Sequence, residues 1–279
     1  MDILFIENVR KENLLKKYFK VVELKDKKIV INKNLANTKI KNKRKIVKKL
    51  KKILLVNNCR QAIISKDLKL DSVFLNLLNS ENIDIVNGRK LFKMYILEII
   101  DYIIKKQNIQ KNNCKIAIIT NQYSSFVEIV IKELVFKCKN LQIVTNHINQ
   151  FEKIENDLYD EGIIITVTNN KRKSLISSDI ILNIDFPSEI LNLYNIYDKA
   201  TIVNFEEDIK IKKKRFSGIV INWYKLGLNN ETDFLEVIEK KDLDIYDLND
   251  LIEYGYYLNK LKMEDVWIKS LITSSKQEY

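Results

Sequence analysis

Polar residues that could hold an anion or a cofactor collect in four short stretches, each close behind an apolar run. These are Thr120, Asn121, Ser124 and Ser125 in TNQYSS, Asn146 and His147 after LQIVT, Lys173 in NNKRKS, and Asn183 ahead of the single proline, Pro187. In TNQYSS, hydroxyls and amides lie between a strand and a helix, where free backbone N–H groups and the helix dipole favour a phosphate. A dinucleotide turn of the G-x-G-x-x-G kind relies on glycine for close backbone approach; TNQYSS has none, and Tyr123 obstructs it. The plain alternative is a helix start capped by Ser124 or Ser125. Thr145, Asn146 and His147 supply no acid for a ribose 2′-hydroxyl, so a dinucleotide bound here would be NADP or NAD with the 2′-phosphate better suited. His147 is the only histidine, so any Ser-His-Asp or Cys-His relay would be built on it; the bland reading is a loop residue. Lys173 could meet an anionic ligand group or simply sit in a solvated loop. No residue stands out as a catalytic acid or base.

The elements that must position these residues are legible in the middle of the chain. Residues 115–120 (KIAIIT), 141–146 (LQIVTN), 163–168 (IIITVT), 180–184 (IILNI) and 200–205 (ATIVNF) are short, apolar and β-branched, as buried parallel strands are. Helical spacing runs between them, in Phe126, Val130, Ile131, Leu134 and Val135, and again in Phe151, Ile154 and Leu158. Alternation of this kind predicts an α/β fold, a Rossmann-like doubly wound parallel sheet over residues 111–228, with 219–223 as a sixth strand. In such a sheet the ligand crevice opens beyond the carboxyl ends of the strands, where the four polar stretches fall.

Residues 1–110 read as a separate N-terminal α/β domain, with strands at 2–6, 28–32, 62–65 and 83–86. A long helix over 89–106 starts after the Asn87-Gly88 turn, and the polar seam 107–113 marks the boundary. Residues 229–279 read as a helical C-terminal tail: Phe234, Val237 and Ile238, then Leu248, Leu251 and Ile252, predict two or three helices within 231–270. Tyr246, Tyr254, Tyr256, Tyr257 and Trp267 either pack these helices on the sheet domain or form a partner surface.

Composition narrows the classes. With 46% hydrophobic and 30% charged residues in 279, the chain is of ordinary globular composition, and 5 Gly with 1 Pro exclude collagenous or flexible-linker sequence. The most apolar stretch, 96–104, is broken by Glu98 and Asp101 and is too short to span a bilayer, so no membrane insertion is expected; the start MDILFIENVRKEN lacks a secretory pattern, which predicts a cytoplasmic protein. Cys59, Cys114 and Cys138 show no metal-ligand spacing, so neither zinc nor a disulfide framework is expected.

The net charge of +11 is uneven: residues 1–60 carry 19 Lys or Arg against 5 acids, and residues 229–279 carry 6 against 12, so the two ends can attract each other. Within 41–52, Lys41, Lys43, Arg44, Lys45, Lys48, Lys49, Lys51 and Lys52 surround an apolar stripe of Ile46, Val47, Leu50, Ile53 and Leu54. This basic amphipathic helix could lie on nucleic acid or another polyanion. No aromatic interleaves the bases, so base stacking has no support, and a solvated helix in a Lys-, Asn- and Ile-rich composition is the alternative.

The run LQIVTNHINQFEKI followed by SSDIILNIDFP resembles the C-terminal dinucleotide-binding domain of the shikimate dehydrogenase-like family, over residues 115–223. Asn146 matches that family's Asn-containing turn on the adenosine side; Asp179, Ile180, Ile181, Asn183 and Pro187 resemble its D-hydrophobic-hydrophobic-N run before proline, with Leu182 as one residue more. The resemblance implies a Rossmann-like fold, an NAD(P) cofactor and, in an enzyme, NAD(P)-dependent oxidoreduction. The family's glycine-rich loop is missing, and the N-terminal residues offer no counterpart to its substrate-binding serines or its catalytic Lys and Asp. Three readings follow: a divergent NAD(P)-binding Rossmann-like protein, a polyanion-binding module, and a non-catalytic scaffold that kept the fold without the glycines.

Overall fold

The computed structural model describes residues 3–8, 20–110, 113–138, 140–206, 208–229 and 240–279. The chain divides into two compact units, one of Met1–Lys90 with Leu228–Trp267 and one of Leu91–Gly227 with Ile268–Tyr279.

The first unit is built on a five-stranded sheet. Its strands are β1 (Ile3–Asn8), β2 (Val22–Lys25), β3 (Lys28–Ile31), β4 (Gln61–Ile64) and β5 (Asp84–Val86), in the order β2-β3-β1-β4-β5. β3, β1, β4 and β5 are parallel, and β2 lies antiparallel on β3. Strand β2 was not legible in the sequence. Between β3 and β4 runs α1 (Ile40–Val56), whose Ile46, Val47, Leu50 and Leu54 enter the core under the sheet. After β4 come the short α2 (Lys66–Lys69) and α3 (Ser72–Ser80), the latter capped by Asp71, which accepts from Phe74 N–H at 3.0 Å. Because β3 and β4 flank β1, the crossover direction reverses between β1 and β4.

The stretch expected as one helix over 89–106 is two: α4 (Arg89–Met94) and α5 (Ile96–Lys106), interrupted at Tyr95. Ile96, Ile99, Ile100, Ile103 and Ile104 of α5 are all buried, as its one-sided apolar spacing requires.

The second unit holds most of a seven-stranded sheet. β6 (Lys115–Ile119), β7 (Asn140–Val144), β8 (Thr166–Thr168), β9 (Ile180–Asn183), β10 (Thr201–Asn204) and β11 (Ile219–Leu228) lie in the order β11-β10-β9-β6-β7-β8, and every neighbouring pair among them is parallel. Counted from β6, this is the 3-2-1-4-5-6 order of the Rossmann doubly wound sheet, with the crossover direction reversing between β6 and β9. Helices α6 (Ser125–Val135), α7 (Glu152–Asp160), α8 (Lys171–Ser177) and α9 (Ser188–Leu193) connect the strands. Gly218 allows β10 and β11 to close up, since a Cβ there would stand 2.1 Å from the Ala200 carbonyl oxygen.

The C-terminal residues are not wholly helical. α10 (Lys240–Ile245) and α11 (Leu248–Tyr257) form, but Val266–Thr273 is a strand, β12, beside β11 at the sheet edge. Val, Trp, Ile and Thr in VWIKSLIT suit a pleated surface better than a helix, which corrects the expected helical end. The spacing of Phe234, Val237 and Ile238 lies outside the described residues, as does Asp2. Tyr246 and Tyr254 are buried, and their rings meet Phe5 of β1 at 5.1 and 5.2 Å, so they pack on the first sheet and not on the central one; Tyr257 and Trp267 are exposed. Among the described residues no helix is long and apolar enough to cross a membrane.

Candidate functional site

The carboxyl rim of the seven-stranded sheet, at the reversal between β6 and β9, brings together the loops after β6, β7, β8 and β9. Its centre is Asp185, two residues beyond β9. The Asn121 N–H donates to both of its carboxylate oxygens, at 2.8 and 2.9 Å, and the Gln122 N–H to one at 3.0 Å. The Thr120 hydroxyl lies 3.1 Å from the same oxygen and equally 3.1 Å from the Gln122 carbonyl oxygen, its two acceptors. Two successive backbone N–H groups and a hydroxyl thus converge on one oxyanion, as a phosphate-binding loop would arrange them. The oxyanion here is the protein's own.

From this carboxylate a chain of amides runs along the rim. The Asn146 N–H donates to Asn121 Oδ1 at 3.1 Å, and the Lys171 ammonium donates to Asn146 Oδ1. Lys171 is the first residue of α8, is 8% exposed, and lies over the rings of Phe186 and Tyr194, 5.5 and 5.8 Å from their centroids. Burial pushes its ammonium pKa below the usual lysine range. Thr145, buried, accepts from the His147 N–H at 3.0 Å and so shapes the turn after β7.

The other residues expected at the site take separate places. Ser124 is the cap of α6, accepting from Val127 N–H at 3.3 Å, and Ser125 is the first helical residue. The side chains of His147 and Lys173 are exposed, Lys173 on the first turn of α8, whose cap Asn170 accepts from the Lys173 N–H. Asn183 is fully buried, and its amide is used inside the protein: Nδ2 donates to Phe186 O at 2.8 Å and Asn204 Oδ1 at 2.7 Å, and Oδ1 accepts from Phe186 N–H. Asp179 precedes β9 and accepts from the Lys115 N–H at 3.0 Å, at the amino end of the sheet, opposite the rim.

Tyr123 leans edge-on against Phe151 at 5.2 Å, and burial together with the Glu128 carboxylate pushes its hydroxyl up to about 12. Burial pushes the thiol of Cys114 up to about 12 and that of Cys138 up to about 11, which disfavours the thiolate at both.

Sequence reasoning missed Asp185 and Lys171. The signal for Asp185 was an acid directly after an apolar strand, and the signal for Lys171 was a base at a helix start after the neighbouring strand. Both gain their role only when β9 and β8 are brought to the same rim as β6.

A dinucleotide pyrophosphate seated in the usual way would need the N–H groups of residues 121 and 122. Asp185 already uses these donors and would repel a second anion a few ångströms away. The residues of this loop therefore do not fit a pyrophosphate.

The basic helix α1 divides into two classes of cation. Lys43 is buried against Asp71 in an ion pair, and Lys51 lies 3.1 Å from Glu81, which takes both off the expected polyanion face. Lys43 turns inward because its position falls beside the apolar stripe, one turn before Val47. Lys41, Arg44, Lys45, Lys48, Lys49 and Lys52 are exposed.

No protein-family model matches the chain, and no curated protein does. Among solved structures it is similar to a protein described as a D-3-phosphoglycerate dehydrogenase from Ralstonia solanacearum, at 8% identity and a TM-score of 0.38, covering 93% of this chain and 95% of that one. It is also similar to L-tryptophan dehydrogenase from Nostoc punctiforme, at 12% identity and a TM-score of 0.33, over 72% of this chain and 61% of that one. Ornithine carbamoyltransferase from Pyrococcus furiosus is similar at 9% identity and a TM-score of 0.28, over 76% and 73%. At these values the similarity carries no argument about activity, and the fold assignment rests on the strand order.

Proposed function

We propose that this chain is a Rossmann-like protein that keeps the doubly wound sheet without dinucleotide-dependent chemistry and works as a binding or interaction scaffold. The observation that carries this reading is the Asp185 carboxylate held by the Asn121 and Gln122 N–H groups and the Thr120 hydroxyl. The resemblance to the shikimate dehydrogenase-like family would ask this loop to receive a pyrophosphate, and NAD(P) binding there would have to displace an internal charge. Nucleotide titration followed by thermal unfolding tests the proposal. A ligand at a hundredfold excess over its Kd stabilises the folded state by about 2.7 kcal/mol, a readily visible shift. Neither NADPH nor NADH is expected to produce one, and a saturable shift with either would overturn the reading.

A second reading has one observation in its favour. Six exposed cations on α1, a helix with no acidic residue, form a continuous basic face on which a polyanion could lie.

A further inference from the structure

The loop between β10 and β11 in the second unit carries a dense run of positive charge, and we propose that it binds single-stranded RNA through the sugar–phosphate backbone. Five of the six residues 210–215 (KIKKKR) are basic.

The run is built into the fold. Ile209 is buried in the core and Ile211 packs against it, so the alternate residues Lys210 and Lys212 face outward, and both are exposed. Two side-chain amides clamp the backbone that carries them. Asn222 accepts from the Ile209 N–H at 3.1 Å and donates to the Ile209 carbonyl at 2.9 Å. Asn192 donates to the Lys210 carbonyl at 3.0 Å and accepts from the Lys212 N–H at 2.9 Å. Further along, the Lys213 ammonium donates to the Tyr194 carbonyl, and the Ser217 N–H to the Asp198 carbonyl at 2.8 Å. The cations are thus held side by side against their mutual repulsion.

Other lysines of this unit meet carboxylates, as Lys93 meets Glu206 and Lys137 meets Asp101. Lys210, Lys212, Lys214 and Arg215 are exposed and make no ion pair among the described residues. A fixed row of unpaired cations is what the phosphates of a polyanion neutralise. Ile209, Ile211 and Phe216 turn into the core and leave no apolar side chain to enter a bilayer, which favours nucleic acid over a lipid surface.

A cleft of about 550 Å³ beside the run narrows the partner further. Its lining includes Lys210, Lys212, Ser188 and, from the turn after β12, Ser274 and Lys276. The Lys276 ammonium and the Ser188 and Ser274 hydroxyls have no partner among the described residues, and they are the donors that a phosphodiester accepts from. The same lining holds two acids, Asp208 and Glu189, and the Glu189 carboxylate is exposed and unpaired among the described residues. It repels a phosphate but accepts from a hydroxyl, and among the backbone groups of RNA and DNA only the ribose 2′-OH donates. A volume of this size takes one strand and not a duplex.

Fluorescence anisotropy of the full chain with a labelled single-stranded RNA of about twelve nucleotides tests this, beside DNA of the same sequence, the RNA duplex and co-sedimentation with vesicles containing anionic lipid. At about 50 mM salt the RNA is expected to bind saturably, and about fivefold or more tighter than each alternative. Replacing Lys210, Lys212, Lys214 and Arg215 together by Ala should weaken binding about tenfold or more without lowering the thermal midpoint, and should flatten the fall of log affinity with log salt by about 0.7 per cation lost. If that variant does not fold, Lys210→Gln with Lys212→Gln takes its place. Glu189→Ala should bring RNA and DNA to within about twofold of each other. No binding up to about 100 μM, equal or tighter binding of DNA, duplex or vesicles, or wild-type affinity in the folded loop variant would overturn the proposal. So would an undiminished RNA preference in Glu189→Ala, or loss of RNA binding on replacing Lys41, Lys45, Lys48 and Lys52 of α1, which would assign the strand to that helix. None of these outcomes depends on the rim at Asp185, which the nucleotide titration reads separately.

Discussion

Asn183 and Asp185 are two residues apart and illustrate how little a residue's type tells of its task. Both stand at the end of an apolar run, and only the amide is singled out by the sequence as a ligand contact. In the fold, Asn183 closes the turn after β9 through both atoms of its amide, while Asp185 reaches across to the loop after β6. Replacing Asn183 by Ala would leave the Phe186 N–H and the Phe186 carbonyl oxygen buried without this partner, each unmet group costing about 1–3 kcal/mol. Asn183→Ala is therefore expected to lower stability by about 3 kcal/mol in urea denaturation, and a loss within about 0.5 kcal/mol would refute the role given to it. Lys171 carries the same lesson in reverse. One base among three in KRK, it alone is drawn between two rings and an amide, because the first position of α8 faces the loops after β7 and β9.

At the scale of elements, periodicity was a reliable guide wherever one face of an element is buried. The apolar stripe of α1 became its core face, and the five central apolar runs became parallel strands, shortened at β8 to Thr166–Thr168. It failed where a run was short or two-sided, as in β2 and in VWIKSLIT, which became β12 because a free strand edge at β11 was available to pair. The exposed face of α1 is tested by retention on a nucleic-acid column at about 50 mM salt, with affinity falling steeply as salt rises. If the polyanion reading holds, replacing Lys41, Lys45, Lys48 and Lys52 together by Ala abolishes retention. Wild-type protein that passes straight through at low salt removes that reading.

Taken as a whole molecule, the chain resolves its charge asymmetry inside the first unit. Lys28 pairs with Asp242 at 2.5 Å, Lys69 with Asp247 and Asp250 at 2.5 Å each, and Lys66 donates to the Leu243 carbonyl, so the acidic C-terminal residues meet the basic N-terminal ones as their opposite charges allow. Burial pushes the Asp250 carboxyl up to about 7, with Asp247 and Glu253 adding to it against the pull of Lys69. Its unfolded value is near ~3.9, so between these pH values the folded state keeps a proton that the unfolded chain has released. Stability from this group is present below about pH 4 and is lost as the pH rises towards 7. Asp250→Asn should accordingly gain thermal midpoint relative to wild type on going from about pH 4.5 to 7.5; a difference constant with pH would count against the assignment.

The α/β class, the positions of the central strands and the buried stripe of α1 were determined by the sequence alone, because each depends on local spacing along a few turns or residues. The filling of the rim by Asp185 and the inward turn of Lys43 were decided only by the tertiary structure. Each arises between segments far apart in the chain, and no periodicity records which loop a side chain will face once the strands are ordered.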